Sequence, residues 1–224
     1  MSFAQSLSEI RGRIAEAAVR SGRIPDAVTL LAVTKTFPPS TIQEAYDYGL
    51  RIFGENRIQE SLDKIPQLPS DIHWHLIGQI QTNKINKIVG KFDLVHSVHS
   101  LELAQAFSKR LGFNQQDVLL EVNTSGEATK SGVEPDSTIQ VARQISALPG
   151  LRLRGFMTVG PLTADKYKQK EAFKVLKGLF DKTVKIFIPG FEILSMGMSN
   201  DFELAIEEGS TLVRIGSALF GNRH

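Results

Sequence analysis

The stretch Thr29-Leu30-Leu31-Ala32-Val33-Thr34-Lys35-Thr36-Phe37-Pro38-Pro39 sets the reading of the chain. Its first six residues are apolar or β-branched and suit a buried strand, and the two prolines stop that strand from continuing. An amine stands where the strand ends. Desolvation penalises the ammonium form and can move a lysine from about 10.4 toward roughly 7 to 8, where the neutral amine attacks aldehydes. The same residues also fit a lysine that snorkels from the strand end into water. Taken alone, the stretch leaves both readings open.

Working outward, short apolar runs recur at Thr29–Thr34, Arg51–Phe53, His73–Ile77, Leu94–Val98, Val118–Val122, Leu153–Val159, Glu192–Met196 and Leu212–Ile215. Helical spacing fills the intervals: Leu7, Ile10 and Ile14 share a face, as do Val141, Ile145 and Leu148, and Phe173, Leu176 and Phe180. The alternation argues for βα units around a parallel sheet. With eight runs, no linker and no low-complexity segment, a single closed (β/α)8 TIM barrel over residues 1–224 fits best, with an extra helix before its first strand. An open doubly wound sheet is the competitor.

The 224 residues and 42% hydrophobic content suffice for one sizeable core. Lys+Arg of 26 against Asp+Glu of 24 gives a net charge of +2, too balanced to advertise a nucleic-acid or membrane surface. Lys84, Lys87 and Lys91, on a helix expected after the third strand, make only a modest basic stripe. The absence of cysteine excludes disulfides and thiolate chemistry. The N-terminus reads as neither a signal peptide nor a spanning helix, so a cytoplasmic protein is expected.

In a barrel of this kind reactive groups gather where the strands end. Those positions hold Lys35, then Gly54-Glu55-Asn56, Gly78-Gln79, Ser97, Asn123, Thr158, Gly197-Met198-Ser199 and Gly216-Ser217. Most are also what turns require. The last two sets are more specific, because the loops after strands 7 and 8 often bind phosphate through backbone N–H groups. Ser199 or Asn200 is expected to cap the next helix, Asn200 with Glu203 resembling a capping box. Gly197 and Gly216 are expected to let the backbone approach a ligand oxygen. Arg214 shares a strand face with Gly216, either in a structural ion pair or donating to a ligand acceptor. A lysine for an aldehyde, donors for a phosphate and an arginine for a ring acceptor together describe pyridoxal 5′-phosphate (PLP).

Five ordered motifs carry a resemblance: Leu31-Ala-Val-Thr-Lys35, Phe53-Gly-Glu-Asn-Arg-Ile-Gln-Glu60, His73-Trp-His-Leu-Ile-Gly-Gln-Ile-Gln-Thr-Asn-Lys84, Ser195-Met-Gly-Met-Ser-Asn-Asp201 and Val213-Arg-Ile-Gly-Ser-Ala-Leu-Phe-Gly221. From about residue 28 to 221 the chain resembles the pyridoxal phosphate homeostasis protein family. The resemblance implies a barrel like the N-terminal domain of alanine racemase, with PLP held as an internal aldimine on a strand-1 lysine, here Lys35. It implies a phosphate cradle of Ser199, Gly216 and Ser217, Arg214 beside the pyridine nitrogen and Asn56 near the ring. Ser217 stands where many relatives carry threonine, which keeps the hydroxyl. The implied role is carriage or regulation of vitamin B6 and amino-acid balance, without established catalysis. Expected partners are PLP itself and apo-PLP enzymes or a regulatory protein.

The alternative is a racemase-like enzyme, which needs acid/base groups on both faces of the substrate. Lys35 can serve one face. The alanine racemases draw the other, a tyrosine, from a second domain of the partner subunit, whereas this chain runs to His224 and its tyrosines, 46, 48 and 167, fall in expected helices. A holder of the cofactor, and a monomer, is therefore expected. A class I aldolase would also use a barrel lysine but would not call for these motifs. His73 and His75 share a strand face and could be metal ligands, but with no third ligand placed beside them packing or ring contacts are the better reading. The loop Asn123–Gly132 is long enough for a mobile lid or a contact surface, and the sequence leaves that choice open.

Overall fold

In a computed structural model, which describes residues 2–127, 129–186 and 190–221, the eight apolar runs become eight parallel strands. They are β1 (Thr29–Val33), β2 (Ile52–Glu55), β3 (His73–Leu76), β4 (Leu94–Val98), β5 (Gln116–Glu121), β6 (Leu151–Met157), β7 (Ile193–Met198) and β8 (Leu212–Ile215). Each pairs with its neighbours in chain order, and β8 returns to β1 to close the barrel. The closing register sets Leu31 beside Arg214 and Ala32 beside Ile215. Every expected strand is present, displaced by no more than two residues at either end. The open-sheet alternative is excluded by closure.

Alternation of side chains along the strands separates two apolar regions. Leu31, Val33 and Leu212 pack with Ile52, Ile77 and Ile193, and Leu94, Leu119 and Met157 pack with Ile193 from the other side; together they fill the barrel. The opposite strand faces, with Ala32, Phe53, Val95, Leu120, Phe156, Leu194 and Val213, meet the helices in a continuous outer layer.

The helices are α1 (Phe3–Arg20), α2 (Pro39–Asp47), α3 (Ile58–Lys64), α4 (Leu101–Leu111), α5 (Thr138–Ser146), α6 (Lys166–Val184), α7 (Phe202–Glu207) and α8 (Ser217–Phe220). The expected additional helix is α1, started by a capping box in which Ser2 Oγ accepts from Gln5 N and Ser2 N donates to Gln5 Oε1. It buries Leu7, Ile10 and Ile14 and is pinned to α7 by Arg13, which bonds Glu203 at 3.1 Å and lies over the Phe202 ring. The expected faces of α5 and α6 are formed, except that Leu148 packs from beyond the end of α5.

One expected helix is replaced. Between β3 and β4 the chain makes a 3-10 helix over Thr82–Lys87, with Lys91 outside it. Asparagines 83 and 86 disfavour a longer α-helix, and Gly90 ends the segment in a left-handed turn. No helix among the described residues is long and apolar enough to cross a membrane.

Gly155 permits the β6–β7 contact. It sits at φ +154, and an added Cβ would stand 1.7 Å from the Ile193 carbonyl oxygen. Gly155→Ala is expected to destabilise the barrel by about 3 kcal/mol or more, by combining a steric clash with a disfavoured backbone. Urea denaturation checks this; an unchanged midpoint would show that β6 and β7 can separate at no cost.

Candidate functional site

Because all eight strands are parallel and adjacent, their C-terminal ends open on one mouth. Lys35 lies there, half-buried, two residues past β1 and in sequence step with the interior residues Leu31 and Val33. It is the second residue of a turn closed by Phe37 N donating to Thr34 O at 3.1 Å. The third residue, Thr36, has φ +70, the one positive φ outside glycine among the described residues. A β-branched side chain there costs about 1–2 kcal/mol. Polar groups hold it: Thr36 N donates to Glu60 Oε1 at 2.6 Å, Lys64 Nζ donates to Thr34 O at 3.0 Å, and Thr34 Oγ1 donates to Glu55 Oε1 at 2.7 Å.

Barrel closure brings Gly216 against β1, so that an added Cβ would lie 3.4 Å from Val33. The N–H groups of Gly216 and Ala218 converge on Ser199 Oγ at 3.3 and 3.4 Å. Those are long hydrogen bonds, which leave both N–H groups able to serve a stronger acceptor in the same place. Ser217 is exposed beside them at the start of α8. Asn56 follows β2 and packs backbone to backbone with Gly78. The expected set Lys35, Asn56, Ser199, Arg214, Gly216 and Ser217 therefore lies at strand ends or one layer beneath them.

Some expectations are corrected. Neither Ser199 nor Asn200 caps α7; Asp201 occupies the N-cap and its carboxylate accepts from Met198 N at 2.6 Å, which leaves the Ser199 hydroxyl turned toward β8. Gly197 has a packing role that the sequence did not suggest: at φ +94, its missing Cβ makes room for Ala205 and Phe202 of α7. Ser97, Asn123 and Thr158 make the scaffold bonds that turns at strand ends require, with Ser97 Oγ donating to Gly78 O, Asn123 Nδ2 to Glu127 O, and Thr158 Oγ1 to Val122 O, in line with the scaffold reading of those positions. Within 123–132, where Ala128 lies outside the described residues, Lys130 ties the loop to Gly160 O at 2.9 Å.

Arg214 is fully internal. Its Nη1 donates to Ser195 O and Oγ at 3.0 and 2.6 Å, and its Nη2 to Thr158 O at 2.8 Å. Burial lowers the guanidinium to about 10, so it stays charged at neutral pH. The bonding links a chain of groups. Arginine only donates, so Ser195 Oγ accepts from it, and the same hydroxyl lies 3.1 Å from His96 Nδ1, whose role its tautomer sets. His96 Nε2 in turn lies 3.0 Å from His75 Nδ1, one ring nitrogen donating to the other. Both imidazoles are neutral: burial pushes His75 down to about 4 and His96 well below the ordinary value. His75 thus takes the ring contact expected of it.

Sequence reasoning missed His96, Ser195 and Glu121. Counting back by twos along the strands would have found them, since His96 steps from Leu94, Ser195 from Ile193 and Glu121 from Leu119, all interior. Two clefts among the described residues hold little of this set. One of about 500 Å³ opens at the opposite barrel end between Arg11, Pro25, Gly49 and Arg51, and one of about 400 Å³ is lined by Ser217 and Ala218 but by none of the others. Convergence at the strand ends, rather than cleft size, marks the site.

The residues present fit PLP by the chemistry of their donors: an amine, two convergent backbone N–H groups with hydroxyls, and a fixed guanidinium. A (β/α)8 barrel with that set at its mouth defines a class of cofactor-binding barrels, and the alanine racemase N-terminal domain family matches residues 6–224. The pyridoxal phosphate homeostasis protein of Aquifex aeolicus is 42% identical over 100% of this chain and 99% of its own. That of Pseudomonas aeruginosa is 45% identical over 99% and 96%. PipY of Synechococcus elongatus, solved with PLP bound, superposes with a TM-score of 0.79 at 35% identity, over 93% of this chain and 100% of that one. The chain belongs to the pyridoxal phosphate homeostasis protein family, within that wider barrel family.

Glu121 yields a pH prediction. Its Oε2 is buried without a partner, and burial, against the pull of Arg214, lifts the carboxyl from 4.5 to about 7. The folded state therefore holds a proton that the unfolded state has released between those values. Stability present below pH ~4.5 is lost as pH rises toward ~7, by about 3 kcal/mol at most. Glu121→Gln is expected to flatten this slope and to raise stability at pH 8 by about 1–3 kcal/mol, measured by urea denaturation at pH 5 and pH 8. A parallel pH profile in the variant would disprove the role of Glu121.

Proposed function

We propose that this protein binds PLP covalently at Lys35 and holds it for use elsewhere in the cell rather than turning over a substrate with it. When bound, the cofactor supplies an aldehyde carbon with which the Lys35 amine condenses, the aldehyde oxygen leaving as water. Ser199, Ser217 and the N–H groups of Gly216 and Ala218 receive the phosphate, Arg214 donates to the ring nitrogen, and Asn56 lines the ring. The observation that supports this reading is the β1–β8 closure, which pairs Leu31 with Arg214 and brings Val33 against Gly216, so that the residues past both strands open on one mouth. The PLP bound by PipY and the names of the relatives support it.

Arg214 is a permanent donor and cannot protonate the ring nitrogen, but racemases of this fold also place an arginine there, so the tyrosines carry the preference for a holder. The tyrosines do not complete an acid/base pair with Lys35: Tyr46 bonds Asp71 at 2.8 Å, Tyr48 packs on Phe3 beyond α2, and Tyr167 is 72% exposed on α6.

Borohydride reduction followed by peptide mass mapping is expected to find the cofactor mass on Lys35, and Lys35→Ala is expected to lose it. A full covalent signal remaining in Lys35→Ala would refute the assignment. Incubation with L-alanine is expected to give no D-alanine above the rate of free cofactor; enzyme-like conversion would restore the racemase alternative. Transfer of the bound cofactor to an apo-enzyme, followed by recovery of that enzyme's activity, separates a carrier from a sensor.

A further inference from the structure

Lys64 is the least expected charge in the molecule. It ends α3 with its side chain 7% exposed, and its ammonium touches only polar groups: Glu55 Oε1 at 3.0 Å, Glu60 Oε1 at 2.6 Å and Thr34 O at 3.0 Å. Glu55 is wholly buried and keeps a second oxygen, Oε2, without a partner. Burial raises the Glu55 carboxyl. Burial would raise Glu60 as well, but bonds from Lys64 and Thr36 N outweigh it and hold that carboxyl below its ordinary value.

A buried pair of this sort is seldom the most stable filling for a core; an apolar side chain of similar volume usually does as well. The cluster also keeps Thr36 at φ +70, where glycine would sit without strain. Strain of this kind persists only where surrounding structure over-determines it. Its contacts fall on both sides of one residue. Thr34 is held through its carbonyl and its hydroxyl, Thr36 through its N–H, and Lys35 lies between them.

We propose that Lys64, acting with Glu55 and Glu60, is the positioning residue for Lys35: it fixes the 34–37 turn and so presents the Lys35 amine at the barrel mouth. This role rests on the reading of Lys35 as the cofactor-binding amine. The bonds of Lys64 go to the turn and to the two carboxylates. Among the described residues no hydrogen bond joins the phosphate donors to this cluster, and the turn meets α8 through packing of Phe37 on Phe220, 5.1 Å between ring centroids, so capture of an aldehyde depends on the cluster more than capture of a phosphate does.

That difference supplies the test. Pyridoxine 5′-phosphate keeps the ring and phosphate of PLP but has a hydroxymethyl in place of the aldehyde. Lys64→Met in the full chain is expected to weaken PLP binding about tenfold or more while leaving pyridoxine 5′-phosphate within about twofold. In the cofactor-free protein, amide hydrogen exchange at Thr36 and Phe37 is expected to quicken in the variant. Adding Thr36→Gly to Lys64→Met is expected to recover part of the lost PLP affinity, because glycine adopts the turn unaided. If Lys64→Met does not fold, Glu60→Ala, at a partly exposed position, tests the same cluster with the same readouts. Unchanged PLP affinity, or equal loss of both ligands, would overturn the positioning role while leaving Lys35 as the site. A wild-type protein that takes no PLP onto Lys35 would overturn the reading of Lys35 and this role with it.

Discussion

Pairing of β8 with β1 is the constraint on which the site depends. Closing an eight-stranded parallel sheet commits every strand end to one mouth and fixes the stagger between first and last strands. Residues about 180 positions apart in sequence become neighbours through that register alone, with Leu31 beside Arg214 and Ala32 beside Ile215. Val33 then meets Gly216, and the first residues past each strand, Lys35 on one side and Ser217 on the other, follow from it. The helix α1 lies across this closure on α7 and α8, anchored by Arg13–Glu203 and Arg20–Glu207. An element outside the repeating βα pattern thus braces the seam at which the site is formed.

Rigidity at the mouth is distributed unevenly. On the β1 side it comes from charge: an ammonium and two carboxylates surround the turn that carries Lys35. On the β8 side it comes from backbone geometry and one hydroxyl, Ser199, whose bonds are long. A covalent attachment needs its nucleophile aimed within narrow limits, whereas a phosphate tolerates small displacements among several donors. On the proposed role of Lys35, the tighter construction surrounds the group with the stricter geometric demand.

The strands were legible because each is a short apolar run bounded by turn residues, and eight of them in alternation with helical spacing leave few architectures. Lys35 and Gly216 were legible by their place at strand ends. What escaped was whatever depends on contacts between strands. Nothing local to Asp201 distinguishes it from Ser199 or Asn200 as a cap; the choice is made when β8 supplies donors to Ser199. Gly197 reads as permissive backbone until α7 packs against it. Lys64 reads as an ordinary basic residue in the last turn of a helix, and only the distance to Glu55 and Thr34 reveals it as internal. The 3-10 segment at Thr82–Lys87 is a failure of periodicity alone, since its lysines recur at an interval that either helix type accepts.

The layer beneath the mouth bears most directly on what the protein can do with a cofactor. Arg214, Ser195, His96 and His75 form a continuous hydrogen-bonded chain that begins at an obligate donor. Such a chain orients the guanidinium firmly, but it conducts no proton toward the ring, because its first member cannot give one up. To pass a proton, the imidazoles would have to charge in a site that pushes His75 down to about 4. Glu121, the nearby carboxyl near neutrality, makes no bond to this chain, so its titration changes the local field without relaying a proton. The interior therefore fixes a cation in place beneath the mouth and offers no relay through these imidazoles by which a proton could leave it.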